Sequence, residues 1–219
     1  MGTISQRFFV SNVGSNVATA KFALSAAIQI CKQNGWNLTV ITATAGDFSH
    51  TVFGGIFAPQ KSGQTKNYDG ISISVDIPRS LQMTPYDMLF GAHLSLSDME
   101  KLDAANAKAI FYVPWMENDG PAWVNRWNPQ IIGESKIKHS PSPLNPLVVK
   151  ELERITRVIN LSTGLTHPSD KQVAETAFKE LARSGQYESP EAIRDWALQH
   201  SWNPRHVDKL IKLAAKYFK

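Results

Sequence analysis

The chain has 219 residues, of which 42% are hydrophobic, 10% aromatic and 19% charged, and its formal net charge at pH 7 is +4. These values are typical of an ordinary globular protein with one large domain, or one domain and a helical addition, and they do not require a dedicated nucleic-acid surface. The single cysteine, Cys31, excludes an internal disulfide and a multi-cysteine zinc site.

The first residues, MGTISQRFFVSN, lack the charged start and the long apolar run of a signal peptide. No stretch of about 18 apolar residues occurs, so the sequence predicts no membrane-spanning helix. We therefore expect a cytoplasmic protein that has no membrane partner.

The first elements predict a strand, a helix and a second strand. Residues 7–12 (RFFVSN) form a short apolar run, and residues 37–44 (NLTVITAT) are rich in β-branched side chains. Between them the apolar residues recur at helical spacings of three and four, with Ser15 or Asn16 as the N-cap and Gly35 just past the end. Such a unit is almost always right-handed, with its two strands parallel.

Two further segments precede the middle of the chain. Residues 45–69 hold glycines and polar residues at a density that predicts a long loop. Residues 70–78 (GISISVDIP) alternate apolar and polar side chains, which predicts a strand with one face more polar than the other.

A helix and two strands are predicted next. The helix covers residues 96–107, with Ser97 as its cap and Glu100 at the capping-box position. Residues 108–115 (KAIFYVPW) are apolar on both faces, which is typical of a central parallel strand. A last short strand is expected within residues 129–133.

After a proline-rich linker at about residues 139–146 the sequence predicts only helices. Each of them has one apolar stripe. They cover about residues 147–159, 169–183, 190–200 and 204–218. The predicted fold class is therefore α/β, with a Rossmann-like domain (residues 1–140) whose mostly parallel sheet has flanking helices. A small all-helical C-terminal domain (residues 146–219) follows it.

In an open parallel sheet, ligands bind beyond the carboxyl ends of the strands. The candidate ligand-binding residues therefore follow the first strand and the strand at 108–115. They are Ser11, Asn12, Gly14, Ser15, Asn16, Trp115, Glu117 and Asp119. The turn around Gly14 can present backbone N–H groups to a phosphate, although it matches no dinucleotide or triphosphate motif. The alternative interpretation is a well-capped helix start.

The loop TAGDFSHTVFGG holds the catalytic candidates Asp47 and His50, because a carboxylate can orient a histidine for acid–base chemistry. The alternative is a solvated loop with glycine hinges. The histidines follow no metal-binding spacing, and four acidic residues would have to reach one crevice to hold a metal, so we predict no metal site. No motif identifies a cofactor, and the sequence does not decide whether the protein is an enzyme.

Half of the six tryptophans lie between residues 113 and 133. Trp123 and Trp127 are predicted on one face of a short helix that begins near Asn118 or Asp119, and there structural packing is the favoured role. Trp115 ends a strand at the expected crevice, where it either stacks on a nucleobase or sugar or packs within the fold. Asp98 and Asp103 are expected on the exposed face of the preceding helix.

These observations support three functions. The first is a binding protein or enzyme for a nucleotide-like or phosphorylated small molecule. The second is a non-enzymatic interaction module whose helical tail docks a protein partner or forms a homo-oligomer. The third, nucleic-acid binding, is the least favoured. It rests on a basic stripe along the last helix, made of Arg205, Lys209, Lys212, Lys216 and Lys219.

Overall fold

The computed structural model describes residues 5–44, 64–82, 84–140 and 143–218. Contacts divide the chain into two compact units, Met1–His139 and Ser140–Lys219. The first is an α/β unit and the second is a helical unit. No helix in the described ranges is both long and apolar enough to cross a membrane.

Within the described residues the α/β unit contains a seven-stranded sheet. Its strands are β1 Gln6–Phe9, β2 Leu38–Ile41, β3 Thr65–Tyr68, β4 Ile71–Asp76, β5 Tyr86–Leu94, β6 Ala107–Pro114 and β7 Gln130–Ile131. The strand order is β3-β4-β2-β5-β6-β1-β7, and every neighbouring pair is parallel except β3 and β4. The mostly parallel, Rossmann-like sheet is confirmed.

Among the described residues, three helices flank this sheet: α1 Val17–Asn34, α2 Leu96–Asp103 and α3 Asp119–Trp127. The buried face of α1 packs on one side of the sheet, and α2 and α3 pack on the other. Helix α1 has the predicted ends, because the Asn16 side chain accepts the Thr19 N–H and Gly35 adopts the left-handed conformation (φ 66°).

The central strand of the sheet, β5, was not predicted, since Gly91 and His93 interrupt its apolar run. Gly91 packs closely against α2, where a Cβ at this position would meet the Met99 side chain. The interpretation of residues 45–69 as a loop is wrong for 65–68, which form β3. The four residues of β3 are exposed and carry no apolar pattern. The strand forms by antiparallel pairing with β4 across a turn at Asp69 and Gly70.

The predicted cap of α2 is also wrong. Ser95, not Ser97, precedes the helix, and its side chain accepts the Asp98 N–H. Glu100 therefore has no capping role, and its buried carboxylate forms an ion pair with Arg126 of α3 (3.2 Å). A buried ion pair of this kind links α2 to α3 beneath the surface.

Asp103, expected to be exposed, is a buried junction between the sheet and helices α2 and α3. Its carboxylate accepts the indole N–H groups of Trp123 (3.0 Å) and Trp127 (2.9 Å), and it pairs with Arg7 of β1 (3.4 Å). The Arg7 guanidinium also lies over the Trp127 ring, 3.6 Å from its centroid. Burial raises the pKa of Asp103, and the Arg7 charge and the indole donors oppose that rise. Trp123 and Trp127 thus have the structural role that the helical spacing favoured.

The helical unit contains α4 Pro146–Val158, α5 Pro168–Arg183, α6 Pro190–Gln199 and α7 Pro204–Ala214. Each begins with a proline directly after a capping side chain, which explains why these boundaries were predictable. Their apolar stripes are buried, and the large exposed apolar residues of the unit are Leu147, Val158 and Tyr187. Docking of a protein partner and self-association stay predictions.

Candidate functional site

Strands β5, β6 and β1 are consecutive and parallel, so their carboxyl ends meet at one edge of the sheet. The loop after β1 covers residues 10–16 and the loop after β6 covers residues 115–118. The Gly14 N–H donates to the Trp115 carbonyl oxygen at 2.8 Å, which joins the two loops. Gly14 has φ 63°, a backbone conformation that glycine adopts without strain.

The two loops then leave the sheet in opposite directions. The loop after β1 enters α1 on one face, whereas the loop after β6 enters α3 on the other. Adjacent strands whose connections diverge in this way form the switch point at which open α/β sheets bind ligands. We call the space between these loops the crevice.

Asn12 fixes the base of the crevice. Its buried Nδ2 group donates to the carbonyl oxygens of Pro114 (2.8 Å) and Gly14 (2.9 Å), which holds both loops. Its Oδ1 atom is also buried and has no hydrogen-bond partner among the described residues. A buried acceptor without a donor is uncommon in folded proteins, and a donor on a bound molecule would satisfy it.

His93 is a member of this cluster that the sequence analysis did not select. Ala92 pairs with Val113 and Leu94 pairs with Pro114, so His93 is an extra residue in β5 and forms a bulge. Its φ of 54° is rare for a side chain other than glycine, and such conformations concentrate at functional sites. The only signal in the sequence was one histidine within an apolar run.

The surroundings of His93 keep its ring neutral. Burial lowers the pKa of His93 to about 4. Its Nε2 atom lies 3.4 Å from the Asn12 Nδ2, and its ring meets the Trp115 ring edge-on at a centroid distance of 5.0 Å. At neutral pH this histidine can therefore act as a hydrogen-bonding group without contributing positive charge.

Trp115 is 42% exposed although it touches His93 and its backbone is bonded to Gly14. Val13 and Met116, in the same two loops, are also exposed, as is Val17 at the start of α1. The crevice therefore has an apolar rim with one aromatic ring fixed at its edge. Aromatic groups in this setting bind flat rings by stacking.

The remaining predicted ligand-binding residues have different surroundings. Ser11 is half-buried, and Ser15 and Asn16 are exposed, with the Asn16 side chain engaged in capping α1. Glu117 is exposed. The Asp119 carboxylate accepts the Leu96 N–H, and burial raises the pKa of Asp119. Asp119 thus connects α3 to the start of α2.

Asp47 and His50, the catalytic candidates, lie outside the described residues. Asp76 ends β4, and its Oδ1 accepts the Ile77 N–H (2.9 Å) and the Ser80 hydroxyl. In the part of the chain that the structure describes, no group of three His, Cys, Asp or Glu side chains could hold a metal ion.

Comparison with curated proteins gives no match to the chain. The helical unit is similar to a known family. Residues 144–219 match the model of a family described as a domain of unknown function (DUF1889).

Proposed function

We propose that the α/β unit binds a nucleotide-like or phosphorylated small molecule in the crevice between the loops after β1 and β6. The observation that supports this most is the preformed junction of the two loops at the switch point. There Asn12 and the Gly14–Trp115 hydrogen bond hold the exposed Trp115 ring in place. A site that is already ordered loses little conformational entropy when a ligand binds.

The apolar part of the ligand would stack on Trp115. The indole is held on one side by its edge-on contact with His93 and retains an exposed surface. A planar heterocycle offers both a face for stacking and N–H groups for polar contacts. Such an N–H would satisfy the Asn12 Oδ1, which no described residue does.

The anionic part would bind at the start of α1. The Val17 and Ala18 N–H groups are free of hydrogen bonds within the described ranges, since the Asn16 side chain caps only the Thr19 N–H. The first turn contains no acidic residue, and Lys21 is exposed one turn further on. The positive end of an 18-residue helix favours a phosphate at this point. Glu117 would accept hydrogen bonds from sugar hydroxyls.

Thermal unfolding of the full chain with a panel of nucleotides and sugar phosphates tests this proposal. A ligand present at about 100 times its dissociation constant stabilises the folded state by about 2.7 kcal/mol. For a protein of this size we expect the Tm to rise by roughly 5–10 °C. No stabilisation by any member of the panel would refute the proposal.

Two variants locate the site. Trp115→Ala removes the stacking surface and should abolish most of the ligand-induced rise in Tm. Tyr187→Ala removes a similarly exposed aromatic ring from the helical unit and should leave the rise unchanged. An equal effect of the ligand on Trp115→Ala and on the unmodified protein would place binding elsewhere.

A further inference from the structure

The outward face of α7 is basic along its whole length. Arg205, Lys209 and Lys212 are exposed on it, and Lys216 continues the stripe in the turn that follows the helix. Their spacings of four, three and four residues place them on one side. The buried face, formed by Val207, Leu210, Leu213 and Ala214, lies on the other side.

Nearby acidic groups do not neutralise this stripe. Asp208, which is the acidic residue of α7, forms an ion pair with Arg194 of α6. Glu175 of α5 accepts the Tyr217 hydroxyl and pairs with Lys179 (3.5 Å). In the described part of the chain Arg205, Lys212 and Lys216 form no ion pair, and Lys209 donates only to the Thr166 hydroxyl (3.0 Å).

The stripe lies on the second helix of a short helix-turn-helix pair. Residues 200–203 separate α6 from α7, and Ser201 makes the turn with a left-handed backbone (φ 66°). The Arg194–Asp208 ion pair links the two helices. DNA-binding helix-turn-helix modules place their second helix against the duplex.

We propose that the helical unit binds the phosphate backbone of duplex DNA through this stripe. Arg205 and Lys216 are eleven residues apart, which corresponds to about 16 Å along a helix. Over that length duplex DNA carries about ten negative charges. The contacting side chains are mostly lysines, which act as point charges, so binding depends strongly on salt and little on base sequence.

Fluorescence anisotropy of the full chain with a labelled DNA duplex tests this proposal. Neutralising about four phosphates gives a slope of log K against log salt of about −3.6, so the affinity falls about 100-fold between about 50 and 200 mM salt. Lys209→Glu with Lys212→Glu should weaken binding at least tenfold. The slope should become shallower, between about −2 and zero. Both side chains are exposed, so the variant should keep its helical circular dichroism.

The matched control is Lys136→Glu with Lys150→Glu, which makes the same change in net charge at exposed positions outside the stripe. It should lose less than threefold in affinity. An equal loss in both variants, or no binding to DNA at about 50 mM salt, would overturn the proposal. So would a preference for phosphatidylserine vesicles over DNA, which would assign the stripe to a membrane surface. None of these three outcomes bears on the crevice of the α/β unit.

Discussion

Replacing Asp103 with alanine should be among the most destabilising single changes in the α/β unit. The carboxylate is 3% exposed and serves three donors at once, namely Arg7, Trp123 and Trp127. These donors belong to β1 and α3, whereas Asp103 ends α2. The substitution therefore removes the ion pair and the hydrogen bonds that join α2 to β1 and α3.

The magnitude follows from what the substitution leaves behind. The Arg7 side chain is only 10% exposed, so it would remain as a buried charge without its partner. Removing one partner of a buried ion pair costs about 3–5 kcal/mol, and each unsatisfied indole N–H adds to this cost. We expect a loss of about 4 kcal/mol in the free energy of unfolding. Asp103→Asn keeps an acceptor for the indoles but leaves the Arg7 charge unpaired, so it should lose about 3 kcal/mol.

Urea unfolding followed by tryptophan fluorescence and by far-UV circular dichroism measures these losses. Asp98→Ala is the control, because Asp98 lies on the same helix and its partners, Lys101 and the Ser95 hydroxyl, are at the surface. Exposed pairs of this kind contribute at most about 1 kcal/mol. A double-mutant cycle with Arg7→Met then isolates the coupling between Arg7 and Asp103.

A loss below about 1.5 kcal/mol for Asp103→Ala, or a loss equal to that of Asp98→Ala, would contradict the argument. So would a coupling energy near zero between Arg7 and Asp103. In those cases the tryptophans would be held by their apolar contacts alone, such as the contacts of the Trp123 ring with Phe9 and Tyr112.

Three further changes have defined outcomes. The pKa of His93 is about 4 in the folded protein against an ordinary value of 6.5. Between pH 6.5 and pH 4 the unfolded state therefore binds more protons than the folded state, and the stability of the fold decreases as the pH drops through this range. Asparagine tolerates a positive φ, and His93→Asn should remove about 1–2 kcal/mol of this loss of stability after allowance for solvent screening. Urea unfolding at several pH values measures the change, and an unchanged pH dependence of stability would refute the prediction. Gly91→Ala should cost about 1–3 kcal/mol, because its Cβ meets Met99; a Tm equal to that of the unmodified protein would show that Met99 moves aside. Burial raises the pKa of the Cys31 thiol to about 12, so an alkylating reagent at pH 8 should modify Cys31 only after unfolding, as mass spectrometry would show.

The candidate site was predictable in part. A parallel sheet directs the carboxyl ends of its strands to one edge, so Asn12, Gly14 and Trp115 could be selected from the sequence. The sequence could not indicate that Asn12 bonds to Pro114, since the two residues are 102 positions apart. It could not select His93 either, because a bulge is defined by the register of a neighbouring strand.

The helices of this protein were predictable because they follow local rules. Apolar periodicity and capping residues located α1 and the four C-terminal helices, because the period of a helix and the groups at its ends are fixed by its own backbone. The central place of β5, the pairing of β3 and the burial of Asp103 followed no local pattern and emerged only from the folded structure. Each of these depends on partners distant in sequence, whose contacts offset an unfavourable local pattern.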